Sequence, residues 1–407
     1  MRSTTLAALT LTTLAIAGCG GEQPAPVAPP PAPPPLTTTS ATPPPADTTP
    51  APPPKPSLAE LVPQTLKGLG DAFNAHDAKK IATFYTDDAL VQAYGEPDSH
   101  GRDEMVKGLQ MLFDMSSDSK SAPTREWMKG NVAVVEIAWA GTMTGDFMGT
   151  KATKKPIGQM RLHVIWFNDD GLIKEEHMYG DSAGMMAQMK GAKGAPPAPT
   201  VPASPAEMHV GKGTPDEDKL AEWAKGTDET FSKDDPKAVL ALLADDGDYW
   251  LNFTGMPATK GKKDLTKDLT GFFKAFPDQK WTSTNAWGVD GYAIIEHTLS
   301  GTQKGTLGPL PASNKPVTNW HFVDIAQLNA DGKQLHGWGF ANLAEMMLQT
   351  GAMKPPPSEK APAAKGDAAK GGGKGDKGDT TKGGAPKSEP PKGDAPKPDP
   401  GKTEKKK

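Results

Sequence analysis

The chain repeats itself, and that repeat constrains its fold more than any other feature of its 407 residues. Phe73, Asp77 and Asp87-Asp88 recur at Phe231, Asp235 and Asp245-Asp246. Gly101, Phe113, Trp127, Glu136, Gly141-Thr142, Gly145 and Lys155-Pro156 recur at Gly261, Phe273, Trp287, Glu296, Gly301-Thr302, Gly305 and Lys315-Pro316. Asp170-Gly171 returns as Asp331-Gly332. The offset drifts by three residues across the whole series, so the repeat is a duplicated domain and not a short solenoid unit. The copies are read as residues 57–191 and 216–353, joined by a linker at 192–215.

Composition separates these copies from their flanks. Pro29-Pro30-Pro31, Pro33-Pro34-Pro35, Pro43-Pro44-Pro45 and Pro52-Pro53-Pro54 favour an extended polyproline tether over 19–56, with almost nothing to bury. Residues 354–407 hold fourteen lysines, eight acids and little but Gly, Pro and Ala besides, the composition of a disordered, basic arm. The arm's charge suits contact with an anionic cell-wall polymer. A formal charge of −4 for the whole chain offers no basic excess for a nucleic-acid backbone. One cysteine excludes a disulfide framework and cysteine-ligated zinc, and no H-E-x-x-H pair or phosphate-binding glycine loop is present. No cofactor or metal is expected.

Periodicity gives both copies the same plan. Apolar residues at Leu58, Leu61, Val62, Leu66, Leu69 and Phe73 predict an opening helix, matched by Leu220, Trp223, Ala224, Thr227 and Phe231. Two further helices are predicted over 78–85 and 102–113, and over 236–243 and 262–273. Strands follow at 132–140, 158–167 and 172–179, and at 292–300, 317–328 and 334–340, with Asp170-Gly171 as a hairpin signal. The expected class is α+β, two tandem cone-shaped domains each with three helices on a curved antiparallel sheet.

The N-terminus reads as a secretion signal over 1–18: Met1-Arg2, an apolar run too short to span a bilayer, then Leu14-Ala15-Ile16-Ala17-Gly18-Cys19. This ending resembles the bacterial lipoprotein box, which implies lipidation of Cys19 and a membrane-anchored envelope protein. Gly20 lacks the aspartate of an inner-membrane retention signal, favouring the outer membrane in a Gram-negative cell.

The runs Asp71-Ala72-Phe73-Asn74-Ala75-His76-Asp77, Tyr85-Thr86-Asp87-Asp88-Ala89, Gly141-Thr142-Met143-Thr144-Gly145 and Gly171-Leu172-Ile173-Lys174-Glu175-Glu176-His177-Met178-Tyr179-Gly180-Asp181 resemble the SnoaL-like polyketide cyclases, members of the nuclear transport factor 2 fold. The resemblance implies a cone of curved sheet closed by helices, with Asp181 as general acid and base in an aldol closure. Such a carboxylate at an apolar mouth is desolvated, which lifts its pKa into a useful range. Arg161, His163 and His177 are candidate polar partners, and Tyr85, Trp139, Phe167 and Tyr179 candidate walls. Asp181 equally suits the N-cap of a helix over 182–189. Gly180-Asp181-Ser182-Ala183-Gly184 fits a G-x-S-x-G elbow, but no parallel-sheet hydrolase context surrounds it.

In the second copy Asp181, His177 and Tyr179 become Asn342, Trp338 and Phe340. With Trp320 and Phe322 these predict a more apolar cup that has lost the acid. The sequence therefore reads as an envelope protein that binds a small, largely apolar ligand or a protein partner without catalysis, its two copies able to pair as a pseudo-dimer. The alternative is an isomerase, cyclase or dehydratase using Asp181.

Overall fold

The computed structural model describes residues 55–354 apart from 205, 207, 254–257 and 309; Cys19, most of the tether and almost all of the tail lie outside these residues. In the first copy, α1 (Leu58–Asn74) and α2 (Ala78–Ala82) lead into β1 (Tyr85–Ala93) and β2 (Ser99–His100). Then come α3 (Gly101–Met115), β3 (Lys120–Lys129), β4 (Val132–Thr142), β5 (Pro156–Phe167), β6 (Ile173–Tyr179) and α4 (Ser182–Lys190). After β7 (Met208–Val210) the order repeats as α5 (Pro215–Phe231), α6 (Pro236–Ala241), β8 (Leu243–Leu251), β9 (Thr259–Lys260), α7 (Gly261–Ala275), β10 (Lys280–Val289), β11 (Tyr292–Thr302), β12 (Pro316–Leu328), β13 (Gln334–Ala341) and α8 (Leu343–Thr350). Among the described residues no helix is long and apolar enough to cross a membrane.

Local chemistry places the helix ends. Ser57 donates its backbone N–H to Glu60, one half of a capping box, and Asp77, Thr214 and Asp235 accept backbone donors at the starts of α2, α5 and α6. Pro215 and Pro236 sit in first turns, where a missing N–H costs nothing. Gly145 and Gly305 recur for a steric reason. A Cβ at either would lie 2.1 Å from the Asp114 carbonyl oxygen or 2.5 Å from that of Lys274, so both loops pack their backbone onto the preceding helix.

Each copy forms one sheet, ordered β2-β1-β6-β5-β4-β3-β7 and β10-β11-β12-β13-β8-β9. Pairing is antiparallel except where β1 meets β6, β8 meets β13, and β7 joins β3. The sequence reading missed β1 and β3, with their counterparts β8 and β10. Residues Thr86, Asp87 and Asp88 break apolar alternation inside β1, and the ladder to β6 is bulged there, between Tyr85 and Leu90. Pro123 and the polar run around it disguise β3, which tolerates the proline beside a bulge between Pro123 and Arg125. The segment expected to be a plain linker supplies β7, which covers part of the β3 edge.

Side-chain alternation then divides each sheet into two faces. One face of the first sheet packs on helices α1 to α3 through Val62, Ala72, Ile81, Phe113, Val135, Ile165 and Phe167. The other face packs on the second domain: Trp127, Val134, Leu162, Val164 and Tyr179 form one cluster with Val289, Ile294, Val323, Ile325 and Phe340. The two cones therefore meet sheet to sheet, with their helical sides outward.

Candidate functional site

Inside the first cone, β5 presents Arg161, His163, Ile165 and Phe167 to the helices. The β5–β6 register pairs His163 with Met178, Ile165 with Glu176 and Phe167 with Ile173. Glu176 is thus the acid at the centre of the cone, 2 % exposed. It accepts the Tyr85 hydroxyl at 2.6 Å and lies 2.5 Å from His163 Nδ1. Burial pushes the Glu176 carboxyl up, but the hydrogen bond and charge of His163, with Tyr85 and Arg161, outweigh it and hold it below the usual range. The Tyr85 hydroxyl is raised well above its ordinary value by burial and by Glu176. Phe167 joins the same core as Tyr85. Trp139 lies further along β4 in a second cluster with Met115, Met143, Ile157, Met185 and Met189, and the Arg161 guanidinium stands 5.8 Å from its ring.

Asp181 is the N-cap of α4, accepting the Gly184 N–H at 2.9 Å. It is almost wholly buried, and that burial lifts its carboxyl to about 6 against the pull of the capping bond. The cap reading and the raised acid are one and the same residue.

The expected constellation is not assembled. His177 and Tyr179 were grouped with Asp181, Arg161 and His163, yet they face the opposite side of the sheet. His163 pairs with Met178, which leaves His177 and Tyr179 on the other face, and β6 ends at Tyr179, so its alternation does not carry on to Asp181; Lys174 is bulged out between Ile173 and Glu175. His177 Nδ1 is 2.8 Å from Glu296 of the second domain and Nε2 is 3.2 Å from Glu175. A carboxylate only accepts, so a ring with both nitrogens on carboxylates is the imidazolium. Burial disfavours that charge, but Glu296 and Glu175 overcome it and raise the His177 pKa. Tyr179 donates to the same Glu296 oxygen at 2.7 Å.

The second domain's expected cup is likewise split. Trp320 and Phe322 line the cone core, with Trp320 Nε1 donating to the Asn342 carbonyl at 3.0 Å. Trp338 and Phe340 instead face the first domain, and the Arg125 guanidinium lies 3.8 Å over the Trp338 ring. Asn342 caps α8 through Ala344 and crosses the boundary, donating to the Tyr94 carbonyl at 2.7 Å and to Ser182 Oγ at 3.0 Å.

Sequence reading missed two clusters. Glu176 escaped because parity was counted back from Asp181, which lies beyond the end of β6 at Tyr179 and caps α4. In the second cone, His297 Nδ1 is 2.6 Å from Asp228 and Nε2 is 3.0 Å from Asp324, while Tyr249 donates to Asp324 and Ser283 to Asp228, each at 2.6 Å. Burial opposes the charge on His297, yet the two carboxylates raise it to about 9. These residues come from separate elements with no common motif. The two aspartates approach different ring nitrogens and do not converge, and among the described residues no His, Cys, Asp or Glu trio is arranged to hold a metal ion.

A crevice at the boundary, lined by Tyr94, Glu96, Arg161, Met178 and Asn342, has a volume of about 10 Å³, room for one water. The cones are otherwise filled by their own side chains at these points, with Glu176, Asp228 and Asp181 tied to a histidine, a hydroxyl or a helix end, whereas Glu126 on β3, 9 % exposed, has no hydrogen-bond partner among the described residues and its carboxyl is pushed up by burial.

Two helix-lined cones of this architecture define a tandem α+β protein with a polar cluster in each cone. The first domain matches the model of the SnoaL-like polyketide cyclases over residues 64–189, and the second matches the model of the SnoaL-like domain over 226–335. The chain therefore carries two SnoaL-like domains in tandem. Among solved structures it is similar to a SnoaL-like protein from Jannaschia sp. CCS1, at 14% identity over 32% of this chain and 92% of that one, with a TM-score of 0.30. It is also similar to AclR from Streptomyces galilaeus, at 17% identity over 33% and 98% with a TM-score of 0.30. A third is IdmH from Streptomyces antibioticus, at 22% over 31% and 97% with a TM-score of 0.29. No curated protein matches the chain.

Proposed function

We propose that this is a lipid-anchored envelope protein whose SnoaL-like domains bind a small, largely apolar ligand without catalysis, the ligand site lying in the first cone. The observation that carries this reading is the commitment of Glu176, Asp228, Asp324 and Asp181 to structural partners. Glu176 is held by His163 and Tyr85, Asp228 and Asp324 by His297, and Asp181 by the start of α4. The second domain has replaced that last acid with Asn342, which serves as cap and cross-domain strut. Protein partners are the other occupants this reading admits, with the Lys-rich tail reaching anionic wall polymer.

The test is native mass spectrometry of the chain purified from its own cells, with denaturing extraction of whatever accompanies it. A stoichiometric apolar molecule recovered chemically unchanged after incubation supports the reading. Conversion of that molecule to a product, abolished by Asp181→Asn, overturns it. Anchoring has its own test: Cys19→Ala moves the protein from the membrane pellet to the soluble fraction, and unchanged sedimentation contradicts a lipid anchor.

One observation favours the enzymatic alternative. A carboxyl lifted by burial to about 6 titrates where a proton-transfer group works near neutral pH. In that reading Asp181 relays a proton next to a substrate carbonyl.

A further inference from the structure

The first cone holds a polar cluster that its twin has dispensed with. Trp139 and Gln159 are cross-strand neighbours on β4 and β5, 3 % and 6 % exposed. The Trp139 indole N–H and the Gln159 Oε1 are both buried without a hydrogen-bond partner. Arg161 follows on the same face of β5, half-buried and lining the boundary crevice. Its guanidinium rests over Trp139 and has no hydrogen bond or ion pair among the described residues. Buried donors and acceptors are nearly always satisfied in folded proteins, so orphans clustered with an unpaired cation point to a missing guest.

The duplication provides an internal control. The β11–β12 register places Leu299, Trp320 and Phe322 where the first domain has Trp139, Gln159 and Arg161. All three pack into one apolar core, and Trp320 finds its partner in the Asn342 carbonyl. The same backbone therefore closes without polar groups, and folding does not demand the three in the first cone.

We infer that this cluster is the head-group site for an apolar carboxylic acid. The carboxylate sits on the Arg161 guanidinium and the Trp139 indole N–H, and Gln159 Oε1 accepts a hydroxyl of the same guest. The apolar body lies among Met115, Met143, Met185 and Met189, which surround Trp139. Methionine side chains have three rotatable bonds and a polarizable sulfur, so this wall, packed apart from the crevice beside Arg161 with room for one water, can open around a flexible chain by changing rotamers. The inference rests on the reading of the first cone as a ligand site, and names the class of ligand.

The experiment is calorimetric titration of the full chain with 3-hydroxydecanoate and, as a neutral comparator, decanol. The acid is expected to bind at least about tenfold more tightly than the alcohol. Arg161→Gln and Trp139→Phe, the second keeping the ring and losing only the N–H, should each erase that advantage. Equal affinity for acid and alcohol overturns the inference, as does acid binding that survives both variants. If one variant fails to fold by circular dichroism, the other carries the test. A stoichiometric uncharged molecule recovered from the native protein sinks the head-group site alone, whereas a native protein that carries no small molecule sinks both this site and the ligand-binding reading.

Discussion

Asp181 carries two jobs that are separable by one atom. Its oxygen caps α4, and its burial raises its carboxyl to about 6. A folded-state pKa above the unfolded value of about 3.9 means this group favours folding fully only below pH 4. That contribution is lost as pH rises through 6, leaving a cost of ~3 kcal/mol at neutral pH. Asparagine caps as well as aspartate and carries no charge, as Asn342 shows at the matching place. Asp181→Asn should thus raise stability at pH 8 by about 1–3 kcal/mol and flatten its pH dependence between 4 and 7; denaturant melts at pH 4 and pH 8 read both effects. His297 has the same sign over a higher pH window. Its pKa of about 9 means its stabilising charge is present below about 6.5 and lost as pH rises through 9. Replacing it with Gln strands Asp228 and Asp324 and should cost about 3–5 kcal/mol at pH 7, with the alkaline decline removed from the thermal melts.

At the level of elements, Lys174 is bulged out near the start of β6. Deleting Lys174 would leave Ile173, Glu175 and Glu176 opposite Phe167, Trp166 and Ile165 in strict alternation, with Glu176 and His177 on the faces they already hold. The expected change is within about 1 kcal/mol in a urea melt followed by tryptophan fluorescence; a collapsed transition would show that β6 depends on the bulge itself. The same strand marks where sequence reading stopped. The helices, the strands with clean alternation and the inward row Arg161, His163, Phe167 were all legible from period and from the repeat. Strands β1 and β3 were not, because acids and a proline at bulges interrupt their pattern. Glu176 and the His297 cluster were not, because membership depends on register across three elements in one case and five in the other, and no local motif encodes it. The face of Trp338 was equally hidden: an aromatic on a strand reads the same whether it lines a cone or a domain boundary.

The whole molecule is a pair of sheets whose shared face has diverged between its halves. Glu136 and Glu296 are repeat equivalents, buried on either side of the boundary. On one side Arg125 pairs with Glu136 beneath Trp338; on the other, Asn285 donates to Glu296 at 2.8 Å and His177 supplies the positive charge. Each acid has one cation, contributed once from the edge strand and once from across the boundary. Glu296→Gln should leave His177 without its main partner and weaken domain packing by about 3–5 kcal/mol. Calorimetry should then resolve two unfolding transitions where the parent chain shows one, and a single unchanged transition would show that the domains are not coupled through this acid. What the pair of cones does for the cell turns on whether the first is a receptacle or a reaction chamber. The most direct measurement is native mass spectrometry of the chain from its own cells, followed by incubation of the extracted molecule with the parent protein and with Asp181→Asn. Binding without catalysis predicts a stoichiometric apolar guest that both proteins rebind and neither alters. A guest that the parent chain converts and Asp181→Asn leaves intact would contradict it.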